Sequence, residues 1–155
     1  MQYYLDKGGV IMYILFAMAI VGTIIIIWKI ASITLFKFRT RNIDLPSDKA
    51  ELRAAALIAP LEMGLTTLKI VSTISPLLGL LGTVLGIFMA FEGIMVHGLG
   101  DPTQFAKGIS TALITTVGGL VVAIPAYIFY NYFIGELDKT EQILIQKIAG
   151  IYEAS

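Results

Sequence analysis

Four threonines stand where hydroxyl chemistry is available inside otherwise apolar sequence: Thr83 in the run GLLGTVLGI, and Thr111, Thr115 and Thr116 in the run GISTALITTVGG. A threonine hydroxyl offers one donor and two lone pairs and carries no charge. Such groups can hydrate a passing ion or a water. They become nucleophiles only beside a general base. The sequence supplies none nearby: it has no cysteine, a single histidine (His97), no G-x-S-x-G, and no charged residue from Ile70 to Phe91 or from Gly108 to Gly135. An intramembrane hydrolase is therefore a poor fit. Proton carriers in membranes usually relay through a carboxylate or a histidine. If protons cross here, another polypeptide must supply the titrating side chain.

The elements that must position these hydroxyls are legible from hydropathy. The chain has 155 residues, 57% of them hydrophobic and 14% charged, more apolar surface than a soluble domain of this size can hide. Three uncharged stretches account for it, at about 8–28, 70–91 and 108–135, each long enough for the roughly 20 helical residues that cross a bilayer. The expected fold is an all-α membrane protein with three transmembrane helices, a single domain over 1–155, an insert at 37–69 and a tail at 136–155. The first stretch does not read as a signal peptide, because its apolar run is long and no small-residue cleavage site follows.

Lys and Arg total 11, as do Asp and Glu, a balance that argues against nucleic-acid binding. Their distribution is uneven. Lys29, Lys37, Arg39, Arg41, Lys49, Arg53 and Lys69 lie at or between the first two spans, whereas Gly93–Ala106 has no Lys or Arg. The positive-inside rule then puts the insert and the C-terminal tail in the cytoplasm and the N-terminus outside. Span one is the most lipid-like, with Tyr3, Tyr4 and Tyr13 toward one face, Trp28 toward the other and Lys29 as a snorkelling lysine. In the insert, Asn42–Pro46 breaks the helix and Ser47 or Asp48 caps a new one over Ala50–Ile58, with Glu51 in capping-box spacing from Asp48. Pro60 kinks the chain before span two. Asp101-Pro102 starts span three, and His97 reads as a polar loop residue. Leu137, Leu144, Ile148 and Ile151 recur at helical spacing in the tail; their expected partners are the same helix of neighbouring subunits or the Ala50–Ile58 helix.

Spans two and three share a pattern. Ser72, Gly79, Thr83, Gly86 and Ala90 form a small-residue stripe on one side of the second, flanked by Ser75 and Pro76. Gly108, Ala112, Gly119, Ala123 and Ala126 form one on the third, with Thr111, Thr115 and Thr116 on or beside it. Small residues let helix backbones approach closely in lipid, which explains the glycines by packing. It explains the hydroxyls less well, since an interhelical hydroxyl bond contributes only about 0.6 kcal/mol; a lumen-lining role for Thr83 and one of the Thr115/Thr116 pair is the alternative. Pro76 and Pro125 read either as harmless kinks or as flex points beside a pore. Three helices are too few to enclose a useful pore, so the seams call for self-association into a closed ring.

PLLGLLGTVLGIFMAF followed by GISTALITTVGGLVVAIPAYIFYNYF resembles the MotA/TolQ/ExbB proton-channel family over Ile70–Phe133. The resemblance implies a homo-oligomeric ring, a pentamer, in a bacterial inner membrane with its N-terminus periplasmic and its C-terminus cytoplasmic. It implies an ExbD-like single-span partner carrying a membrane aspartate, and a TonB-like protein that the motion acts upon, with no cofactor. It places the family's lumen threonines on Thr83 and Thr116 and its prolines on Pro76 and Pro125; close helix packing at Gly79, Gly82, Gly86 and Gly119 is expected from their small size in the seams. One position departs: the family's GI.EAL pattern is GISTAL here, with Thr111 where a glutamate is usual. The short insert fits an ExbB-like form better than a flagellar one. A TolQ-like role in envelope integrity and a non-conducting scaffold are the other readings.

Overall fold

The computed structural model describes residues 2–40, 59–60, 62–97 and 102–153. Its framework is three long helices: α1 (Gln2–Thr40), α2 (Leu65–His97) and α3 (Pro102–Glu153). Each contains a segment long and apolar enough to span a bilayer, at Gly9–Leu35, Leu65–Met95 and Phe105–Gln146. The helices run well past the expected span limits. With 52 residues, α3 is about 78 Å long at 1.5 Å per residue, so more than half of it lies beyond a hydrocarbon core about 30 Å thick. Gly9 interrupts α1 with non-helical angles (φ 59, ψ −154), so the apolar run begins just after a break. Pro76 and Pro125 lie inside α2 and α3.

The bundle is asymmetric. α2 and α3 pack along their lengths as a hairpin, and α1 rests against both. Small residues hold the hairpin at the end near the α2–α3 connection. At the other end, where residues 41–58 join α1 to α2, the space fills with mostly large side chains: Ile33, Leu65, Leu68, Val71, Phe133, Leu137 and Leu144 form one buried cluster with Ala126. Phe129 and Phe133 stack within it at 5.9 Å between centroids. The two ends are called here the connection end and the insert end.

This cluster revises two expectations. Leu137 and Leu144 of the tail pack in one buried cluster with Ile33 of α1 and Leu65, Leu68 and Val71 of α2 of their own chain. The reason is that α1 continues to Thr40 and so gives the tail an internal partner. The cap and helix expected over 47–58, like the side chains of Ile148 and Ile151, lie outside the described residues. Lys29 also differs. Rather than reaching to an interface, it is 1% exposed, with its ammonium 5.6 Å from the Trp28 ring centroid. The turn into α2 roofs it.

That turn falls at Gly64, with φ 88. The Gly64 carbonyl accepts the first helical bond of α2, from Leu68 N at 3.1 Å. A Cβ on Gly64 would touch Trp28, Ile25 and Lys29 at 3.5–3.7 Å, ordinary contact, so space is not the constraint. The left-handed backbone is, at about 1–2 kcal/mol for an L-residue. Gly64→Ala is therefore expected to lower stability by that amount, read as a lower thermal midpoint in detergent, while Gly135→Ala, whose Cβ would meet nothing within 4 Å, leaves it unchanged or higher.

Candidate functional site: a hydroxyl pair at the edge of a glycine seam

The two small-residue stripes face each other within one chain. A Cβ placed on Gly79 would lie 2.9 Å from the Thr115 carbonyl oxygen; on Gly86, 2.8 Å from Ala112 N; on Gly119, 2.6 Å from the Ser75 carbonyl oxygen; on Gly108, 2.7 Å from the Gly86 carbonyl oxygen. Real Cβ atoms do not approach backbone so closely. A side chain at Gly82 would overlap the Thr115 side chain. The seams expected to recruit other copies thus close the α2/α3 hairpin instead. Sequence periodicity shows that a face is narrow, not which neighbour it meets.

The four threonines take different places on this seam. Thr115 is 1% exposed and packed on Gly82. Its hydroxyl donates back to the Ala112 carbonyl at 2.8 Å, with the Thr111 carbonyl at 3.2 Å. It is a packing residue whose polarity is spent locally. Thr111 is half-buried one turn earlier. Ser72 and Ser75, both buried, likewise donate to the carbonyls of Lys69 (2.8 Å) and Val71 (2.7 Å).

Thr83 and Thr116 behave differently: their hydroxyls meet each other across the seam. Thr83 Oγ1 also lies 3.2 Å from the Gly79 carbonyl and 3.2 Å from the Ala112 carbonyl of the facing helix. Thr116 Oγ1 lies 3.3 Å from the Gly79 carbonyl. Each hydroxyl has one proton. One therefore donates to its mate, and the mate donates to a carbonyl. The order can run either way, since both hydroxyls reach Gly79. Lone pairs remain on the side away from the carbonyls. Both residues are half-buried, at the edge of the seam, among exposed Leu80, Val84, Val117 and Leu120.

Each proline breaks the helical bonding of its own helix. Pro76 is half-buried and removes the helical donor for the Ser72 carbonyl. Pro125 does the same for the Val121 carbonyl, and both of these residues line an apolar gap of about 110 Å³ that α1 closes with Met18, Gly22 and Thr23.

What this arrangement can do is limited by its charge. Two linked hydroxyls in an uncharged apolar wall can offer a donor or an acceptor to a group brought alongside. They cannot ionise for it. Three helices long and apolar enough to cross a bilayer define a polytopic α-helical membrane protein. The chain belongs to the MotA/TolQ/ExbB proton channel family, whose model matches residues 36–145. It is 40% identical over 118 residues to a biopolymer transport protein ExbB homolog of Methanothermobacter thermautotrophicus, covering 74% of this chain and 41% of that one. It is 39% identical over 96 residues to the biopolymer transport protein ExbB of Salmonella typhimurium (62% and 39% covered). It is 41% identical over 93 residues to that of Helicobacter pylori (59% and 64% covered). The matches span about two fifths of the length of the first two relatives.

Proposed function

We propose that this chain is the ring-forming channel subunit of an ExbB–ExbD–TonB-type complex. It couples the inner-membrane proton gradient to energised uptake of nutrients such as iron-siderophores and vitamins across the outer membrane. In this reading a pentamer encloses an ExbD-like single-span partner, and the wall of the enclosed space is the α2/α3 face that carries Thr83 and Thr116. The N-terminus is periplasmic, and the insert and tail are cytoplasmic. The observation that carries the reading is the Thr83–Thr116 pair itself: hydroxyls joined across the seam yet left at its open edge, in stretches (70–91 and 108–135) that carry no Asp, Glu, His, Lys or Arg. The partner's membrane aspartate supplies the missing carboxylate, and the pair meets it as acceptor when protonated or as donor when ionised. The energy scale fits, since one charge falling through 100 mV releases about 2.3 kcal/mol.

The test is reconstitution. In liposomes with an imposed gradient, this chain by itself is expected to pass few protons. Adding the single-span partner raises the flux, and replacing the partner's membrane Asp by Asn removes the gain. Robust flux from this chain with no partner would overturn the assignment.

A further inference from the structure

Where α2 begins beside the later part of α3, a cleft of about 330 Å³ opens at the insert end. Glu62, Thr66 and Lys69 line one wall, and Tyr130, Ile134 and Asp138 the other. These walls continue the two faces that hold the hydroxyl pair. Lys69 precedes Thr83 by 14 residues, about four turns, and Ile134 follows Thr116 by 18, five turns at 3.6 residues per turn. Tyr127, well exposed, stands on the same line of α3, 11 residues or about three turns beyond Thr116. A wall with no charged residue over 70–91 and 108–135 therefore ends in two carboxylates, one from each side of the cleft. Lys29 of α1 interacts electrostatically with Glu62, and Lys69 shares the cleft with both acids.

We propose that this cleft is the proton exit of the channel, with Glu62 and Asp138 as the groups that take up protons leaving the α2/α3 face and pass them to bulk water or buffer. The inference rests on the proton-channel reading above. A proton released in mid-membrane has about 21 Å to travel along the α2 face from Thr83 to Lys69. Along that distance Tyr127 and Tyr130 offer hydroxyls on the α3 side. At the end, carboxylates provide exchangeable sites that water alone does not. Protons bind and leave each carboxylate without any covalent change, so the balance is one proton in and one out. Lys69 offsets part of the negative charge and so keeps the cleft from collecting other cations in place of protons.

The test uses the complex of this chain with its single-span partner in proteoliposomes, comparing wild type with the double variant Glu62→Gln, Asp138→Asn. Native mass spectrometry first establishes that the variant assembles. At low buffer concentration the variant's proton flux is expected to fall about tenfold, the lower end of what local charge does to an ionic encounter rate. High concentrations of a small mobile buffer restore it, because buffer then replaces the missing carboxylates. A merely structural defect is not rescued by buffer. Unchanged flux at low buffer, or a loss that buffer does not reverse, overturns the exit assignment while leaving the channel reading intact. Absence of flux in the wild-type complex overturns both.

Discussion

Replacing both seam hydroxyls, Thr83→Val with Thr116→Val, is expected to abolish energy transfer while leaving the protein assembled. Valine matches threonine in shape and removes only the oxygen. The pair makes its bonds across the hairpin, to each other and to the Gly79 and Ala112 carbonyls. Losing such bonds costs about 0.6 kcal/mol apiece in a membrane, far less than a Gly/Ala seam of this length contributes. The functional loss is larger because these two hydroxyls are the ones joined across the seam at mid-membrane, where a partner carboxyl would exchange its hydrogen bond. The single variants keep one hydroxyl, which still reaches the Gly79 carbonyl, and are expected to retain partial activity. Thr115→Val serves as the comparison. That hydroxyl points into its own helix, so its removal leaves transfer near normal. Siderophore uptake in cells and proton flux in proteoliposomes give the readout, with native mass spectrometry reporting assembly. Normal uptake in the double variant would reduce the hydroxyls to packing.

The second large effect is structural. Gly86→Leu is expected to prevent the hairpin from closing and so to block assembly. A Cβ there would lie 2.8 Å from Ala112 N and 2.9 Å from both Ala112 Cβ and the Gly108 carbonyl oxygen. Backbone cannot move aside as a side-chain tip can, so the cost sits at or above the upper end of the about 1–3 kcal/mol typical of overpacking. Gly22→Ala makes the contrast, since its Cβ would meet only Val71 Cγ1 at 3.5 Å and is expected to be tolerated. An intact oligomer of the Gly86 variant with unaltered thermal stability would show that the helices can slide to accommodate it.

Much of this was readable beforehand, for physical reasons that also mark where reading stopped. Apolar runs of membrane length and stripes at helical spacing are one-dimensional signals, and all three helices and both seams follow from them. Which face meets which is not such a signal. Thr115 and Thr116 are neighbours in sequence, yet about 100° of helical rotation separates a residue wedged on Gly82 from one that meets Thr83. Only the mutual placement of α2 and α3 distinguishes them. Lys29 looks like any interfacial lysine until the Gly64 turn is known to lie over it. The tail's leucines announce an apolar face but not that α1 extends far enough to cover it. Glu62, Lys69 and Asp138 were visible as ordinary charges of the insert and tail. Their spacing from Thr83 and Thr116 carries meaning only once the two helices are seen to share one wall.

The glycine seam has a mechanical consequence. Side-chain interfaces have rotamers to spare and yield under load, but backbone set against backbone at Gly79, Gly86, Gly108 and Gly119 has no soft coordinate. The hairpin is thus a stiff stave. If a partner is driven past it, the reaction force is borne by the wall instead of being dissipated in it, and the compliance of the machine resides in the partner and in α1, which leans on the stave across the gap beside Pro125.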